Sequence, residues 1–309
     1  MVNILLPLVI FFVGLVLLVK GADFMVRGAE SLAVRIGVSP TTIGLTVVAF
    51  GTSLPELVVS TEAFWLGDYA IGTGNLVGSN IVNIGLILAI GYIIMPTSGS
   101  VTESRSRLLV NTLFTFGAAL VFALLSLRGF FDGLSGIVFL VIFSGMLFLM
   151  WRSDEEPDIL SDSHTGHPLA LTVAGLVMVF LGAHLLLSGA VEIAEIFAVP
   201  PAVIGLSMIA VGTSLPELAT SIVAVMKKSP GVAVGNILGS NIFNLLFIIG
   251  INSLFFTIPA ADPKDTLVMI GFSLAIFPFF IRNSRITRIW GGLLLGAYLL
   301  YILLLYGIV

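Results

Sequence analysis

Two glutamates stand out in this chain by their setting. Glu56 and Glu217 each lie in the middle of a long apolar stretch, and each directly follows a proline, Pro55 or Pro216. A carboxylate at bilayer depth costs about 2.5–3.5 kcal/mol on insertion scales. Two of them in matched settings need compensation, by protonation, by an ion pair between helices or by a bound cation. Basic residues are absent from the surrounding stretches until Lys227, at an edge, so an ion pair inside that core is not available. A bound cation is the reading that follows, since intramembrane carboxylates are functional by default.

The prolines sharpen this. Pro55 cannot donate to the carbonyl of Gly51 and its ring crowds that carbonyl, and Pro216 does the same to Gly212. The helix is expected to break or kink just before each glutamate. Backbone oxygen freed at membrane depth is tolerated only where it lines a protein-buried or wet cavity. Helical spacing adds oxygens to the same face. Ala49, Thr52, Ser53 and Glu56 fall at i, i+3, i+4 and i+7, and Ala210, Thr213, Ser214 and Glu217 repeat the pattern. Asn75, Ser79 and Asn83 stand four residues apart, as do Asn236, Ser240 and Asn244. Small polar residues in membrane helices also bond helix to helix, and some of these are expected to do so. The set as a whole is carboxylate, amide, hydroxyl and carbonyl oxygen, with no sulfur or imidazole. It suits hard cations, Ca²⁺, Mg²⁺ or Na⁺. Two carboxylates balance one divalent ion, and a flexible site made of helix breaks favours Ca²⁺ over Mg²⁺, which demands tight octahedral geometry.

Gly51-Thr-Ser-Leu-Pro is not a serine-nucleophile motif. It lacks the final glycine of G-x-S-x-G, follows no strand and has no partner histidine nearby. The chain is therefore not read as an enzyme.

The elements that must position these residues are membrane spans. Hydrophobic residues make up 58% of the chain and charged residues only 10%, against roughly 25% charged in a soluble domain. Mean hydropathy is +1.17. The formal net charge of −4 leaves no nucleic-acid footprint, and the absence of cysteine removes disulfide and thiolate chemistry. The first apolar run, residues 3–19, has no basic region before it and no A-x-A pattern after it, so it reads as a retained span. At about 20 apolar residues per span, ten candidates are counted: 3–36, 40–66, 70–94, 105–127, 131–151, 168–198, 201–227, 231–257, 264–282 and 287–308. The first and sixth exceed a perpendicular crossing and are expected to be strongly tilted or to extend beyond the bilayer.

An internal repeat organises these spans. Residues 41–83 align with 202–244 at a constant offset of 161 without a gap, and 20 of the 43 positions are identical. Gly51–Leu57 (GTSLPEL) recurs as Gly212–Leu218, and GNxxGSNIxN at 74–83 recurs at 235–244. Gly14, Gly21 and Gly28 match Gly175, Gly182 and Gly189 at the same offset. The expected fold is an all-α membrane protein of ten transmembrane helices, built as two inverted-topology five-helix repeats, 1–151 and 168–309, joined by a polar linker at 152–167. Five spans per copy is an odd number, so the second copy is reversed in the bilayer, the architecture of secondary transporters with a mid-membrane site at the repeat interface. Basic residues in connections favour one side nine to two, with Arg128 and Lys264 the two exceptions. That places the 152–167 loop in the cytoplasm and both termini outside.

At the doubled GTSLPE and GSNxxN motifs the sequence resembles the calcium/cation antiporter superfamily, specifically the prokaryotic sodium/calcium exchangers, and the resemblance spans essentially the whole chain. It implies a diamond of four ion positions between spans two, three, seven and eight. Calcium would be held by Glu56, Glu217 and the carbonyls of Thr52 and Thr213. Sodium would use these groups with Ala49, Ser53, Ser79, Ala210, Ser214 and Ser240, and Asn83 matches the central asparagine. Asn244 stands where some relatives, potassium-dependent ones among them, carry aspartate, which argues against potassium co-transport. The tilted first and sixth spans would slide to alternate access. The partners implied are Ca²⁺ and Na⁺ as transported substrates and the lipid bilayer, with no cofactor, no nucleic acid and a monomer as the working unit. Proton-coupled calcium antiport and a cation channel are the alternatives. A channel needs a continuous pore, usually ringed by several subunits, and proton-coupled relatives usually carry an Asn-Ala-Thr-Glu type motif in place of Thr-Ser-Leu-Pro-Glu.

Overall fold

The structure, a computed structural model, describes residues 4–94, 105–152, 166–197, 212–280 and 284–305. It is helical almost throughout. In chain order the helices are α1 (Leu5–Ile36), α2 (Pro40–Thr52), α3 (Leu54–Leu66), α4 (Tyr69–Ile94), α5 (Arg105–Ser126), α6 (Gly133–Arg152), α7 (Pro168–Ile196), α8 (Leu215–Met226), α9 (Pro230–Ser253), α10 (Pro263–Leu274) and α11 (Ser284–Leu305). Among the described residues, seven helices are long and apolar enough to cross a membrane, and eight if the bent pair α2 and α3 counts as one span. The seventh expected span begins in residues outside the described set, so only its second part, α8, is seen. The ninth was expected to run continuously over 264–282. Instead α10 ends at Leu274, and a short 3₁₀ turn, Phe277–Phe280, follows. Pro278 accounts for the end: it has no N–H to donate to the carbonyl of Leu274, four residues back, and its ring crowds that carbonyl.

The helices divide into two layers. α4 and α9 lie inside, with 72% and 94% of their apolar windows buried, whereas α1 and α7 have 28% of theirs buried and form an outer pair. α1 has 32 residues, about 48 Å of helix against a hydrocarbon core of about 30 Å, so it accommodates the excess by tilt or by extending past the bilayer. It packs along α7 through a seam of glycines. A Cβ at Gly14 would lie 2.9 Å from the carbonyl of Gly182, and one at Gly21 2.8 Å from that of Gly175, with the converse approaches equally tight. Gly28 meets Thr172, and at the 161 offset its equivalent Gly189 meets Phe11, the equivalent of Thr172. Small residues at seven-residue spacing let the two backbones touch.

The sequence reading missed two features. The α5–α6 loop and the α9–α10 loop form a minimal antiparallel bridge, β1 (Phe130–Phe131) with β2 (Ile258–Pro259), where Phe131 and Ile258 are fully buried. Two-residue strands carry too little periodicity to be read from sequence. Helices α2, α4 and α9 also each contain a widened π turn, at Gly44–Val48, Asn83–Leu88 and Phe243–Ile248. Such turns are rare and cluster at functional sites.

Candidate ion-binding site between the two helix breaks

Both breaks form where the prolines place them. α2 ends at Thr52, Ser53 leaves the helical conformation at φ −86°, ψ 7°, and α3 restarts at Leu54 with a bend of 44°. Ser214 repeats this at φ −87°, ψ 3°, ahead of α8. Each glutamate therefore sits in the first turn of the restarted helix, two residues past its start. Both are 1% exposed.

The side chains around them converge from both copies. Ser53 donates to Glu217 Oε1 across the interface at 3.1 Å, Ser240 donates to the same oxygen at 3.4 Å, and Ser79 donates to Glu56 Oε1 at 3.4 Å. Ser214 bonds Ser79 at 3.4 Å. The contacts at 3.4 Å are long for a hydroxyl donor, so those hydroxyl oxygens remain able to turn a lone pair to an ion. Oε2 of each glutamate is buried and makes no hydrogen bond among the described residues, and neither do Asn83 Oδ1 and both amide atoms of Asn244. An uncompensated buried carboxylate oxygen is costly, and a hard cation is the partner this donor set fits. No group of three or more His, Cys, Asp or Glu exists among the described residues, so any metal held here rests on two carboxylates and neutral oxygens.

Of the residues expected at the site, the structure brings together Thr52, Ser53, Glu56, Ser79, Thr213, Ser214, Glu217 and Ser240. Ala49 is fully buried one turn before the first break, where its carbonyl accepts from the Ser53 amide at 3.0 Å. Asn83 and Asn244 are buried one turn beyond Ser79 and Ser240. Ala210 lies outside the described residues.

Asn75 and Asn236 do something spacing alone did not show. Asn75 Nδ2 donates to Ser60 Oγ at 2.9 Å and to the Glu56 carbonyl at 3.5 Å, while its Oδ1 accepts from Thr213 of the other copy at 3.2 Å. Asn236 makes the equivalent set with Ser221 at 3.1 Å, the Glu217 carbonyl at 3.4 Å and Thr52 at 2.9 Å. Both amides tie the two breaks together. Each threonine hydroxyl thus spends its proton on the asparagine of the other copy, and its oxygen lone pairs face the site.

A family model described as sodium/calcium exchanger protein matches residues 6–152 and 167–307. The chain belongs to that family. The exchanger is 30% identical to sodium/calcium exchanger MaX1 of Methanosarcina acetivorans, over 96% of this chain and 97% of that one. It is 33% identical to inner membrane protein YrbG of Escherichia coli, over 98% and 97%. Its structure superposes on that of the sodium-calcium exchanger NCX_Mj, soaked with zero Na⁺ and Ca²⁺, with a TM-score of 0.84 and 34% identity, covering 98% of this chain and 99% of that one. It is a helical, multi-pass membrane protein of an antiporter family. In this exchanger no basic side chain of the described residues pairs with either glutamate. Lys227, the cation nearest in sequence, instead pairs with Asp23 of α1, which also holds Arg27 at 3.0 Å.

Proposed function

We propose that this exchanger moves Ca²⁺ against Na⁺ by alternating access at a mid-membrane site built from Glu56, Glu217 and the oxygens around them. The observation that carries the reading is the pair of buried glutamates at matched helix breaks. Each has one carboxylate oxygen without a hydrogen bond and neither has a basic partner among the described residues. Ca²⁺ is held by both carboxylates with the carbonyls of Thr52 and Thr213. Na⁺ uses the same groups with Ala49, Ser53, Ser79, Ala210, Ser214 and Ser240, while Asn83 and Asn244 complete the middle. Because the two ions need the same carboxylates, they exclude each other, and exclusion is what makes exchange obligatory.

The working architecture is ten spans in two inverted repeats, 1–151 and 168–309, with the 152–167 loop in the cytoplasm and both termini outside. The 161-offset equivalence of the cross-ties and of the glycine seam supports it. The outer pair α1 and α7 supplies the moving part, and a single chain suffices. Sodium rather than the proton is the driving ion, because the hydroxyl-rich site contains no histidine. The test is radioactive calcium uptake into vesicles under an imposed outward sodium gradient, with proton and potassium gradients as controls. Uptake that follows sodium is the expected result. Uptake that ignores sodium and follows a proton gradient would transfer the protein to proton-coupled antiport.

A further inference from the structure

The doubled GSNxxN motif contains an asparagine in each copy, Asn80 and Asn241, that the ion site does not use. They are equivalent at the 161 offset, identical in type, and each 1% exposed, yet they are bonded differently. Asn83 Nδ2 donates to Asn241 Oδ1 at 2.9 Å across the interface between α4 and α9. The equivalent bond from Asn244 to Asn80 is not made. Asn80 Nδ2 instead donates to the Leu76 carbonyl of its own helix at 2.8 Å, and Asn244 has neither amide atom bonded.

The bond to Asn241 has a definite consequence for Asn83. An amide has a donor end and an acceptor end. With Nδ2 tied to Asn241, Oδ1 is the end left over, and it is buried without a hydrogen bond. Asn83 lies one turn beyond Ser79, whose hydroxyl reaches Glu56, so Asn83 stands on the carboxylate-bearing face of α4. Released from Asn241, the same amide could turn its N–H groups toward the unbonded Oε2 atoms of the glutamates. That orientation competes with a cation twice, by presenting donors to it and by occupying the carboxylates.

We propose that Asn241 is a positioning residue for transport, holding Asn83 with its amide oxygen turned to the cation and its amide nitrogen turned away. Asn244 has no such tether, so the two central asparagines are functionally unequal. Asn83 is a fixed neutral ligand, and Asn244 is free to adapt to the ion present. The proposal rests on the reading of Asn83 as a site ligand.

The test is sodium-driven calcium exchange in vesicles by the full chain carrying Asn241→Leu, Asn83→Ala or both. Asn241→Leu should raise the calcium concentration for half-maximal exchange about tenfold, the scale set by a buried amide bonded the wrong way, with the maximal rate within about twofold of the parent. The same substitution should add nothing in the Asn83→Ala background, because it acts through Asn83. In an Asn83→Asp background it should shift half-saturation by less than about twofold, since a carboxylate has no nitrogen to misorient. Unchanged half-saturation in Asn241→Leu overturns the proposal. So does an equal effect with Asn83 present and absent, which marks a purely structural role. Parental half-saturation in Asn83→Ala would instead remove Asn83 from the site and take the proposal with it. Asn241→Ala is read in the same way should the leucine variant not fold.

Discussion

The glycine seam between α1 and α7 gives a test of packing that is independent of ion chemistry. A Cβ at position 182 would lie 2.7 Å from Leu18 Cα and 2.9 Å from the Gly14 carbonyl, where ordinary contact begins at 3.4 Å. All of those atoms are backbone, so no side chain can rotate away. The Leu18 backbone nitrogen lies nearer still, so the helices must separate by about 1 Å along their closest line. Overpacking of this kind costs about 1–3 kcal/mol. Alanine recovers about 1 kcal/mol of helix propensity over glycine. Gly145 on α6 is the matched control, since nothing lies within 4 Å of its Cβ position and only the propensity gain applies. Gly182→Ala and Gly145→Ala should therefore differ by about 2 kcal/mol, on the order of 5 °C in melting temperature for a domain-sized unit. If the seam is the surface along which α1 and α7 move during exchange, Gly182→Ala should also slow sodium-driven calcium uptake, and Gly145→Ala should not. Thermal melting in detergent and initial uptake rates in vesicles read the two effects. Melting of Gly182→Ala and Gly21→Ala indistinguishable from Gly145→Ala would refute the packing argument outright.

Three further outcomes follow. Glu56→Gln or Glu217→Gln removes one of the two charges that balance Ca²⁺, and either should reduce exchange to background while the protein still assembles. Parental calcium flux in both would remove the glutamates from the site. Adding potassium should leave calcium flux unchanged when membrane potential is clamped, because Asn244 is an uncharged amide. Asn244→Asp should alter the cation dependence, and potential-independent stimulation of the unmutated protein by potassium would contradict this. On the α5–α6 loop, the Ser135 backbone N–H, with the Arg128 and Ser135 side chains, holds the Asp132 carboxyl well below the usual carboxylate range. A depressed group stabilises the fold above its unfolded value and loses that contribution as pH falls. Asp132→Asn should thus melt slightly earlier than the parent at neutral pH, with the gap starting to close below about pH 4.

Much of the site was legible because chain geometry forces it. A proline in the interior of a helical run frees the carbonyl four residues back and breaks or kinks the helix, so the positions of Ser53 and Ser214 follow from Pro55 and Pro216. The burial of Glu56 and Glu217 follows from the apolar runs that carry them. Other features were not legible, because spacing specifies a face and not a partner. Asn75 shares a face with Ser79 and Asn83 by period, yet its amide is consumed by Ser60, Glu56 and Thr213. The offset marked Gly14 and Gly175 as equivalents. That Gly14 instead faces Gly182 is a matter of how the two copies meet. The unequal bonding of Asn83 and Asn244 is beyond any repeat-based reading, since the two copies are identical there. The π turns have no composition of their own to announce them.

The crossed ties between the breaks also bear on how the two copies have aged since duplication. Thr52 in the first copy is fitted to Asn236 in the second, and Thr213 in the second to Asn75 in the first. A substitution at any of these four positions is therefore felt in the opposite half of the chain. Identity between the copies is densest in Gly51–Leu57 and Gly212–Leu218, the segments that contain the tied threonines. The densest identity between the copies thus falls where each half is bonded to the other.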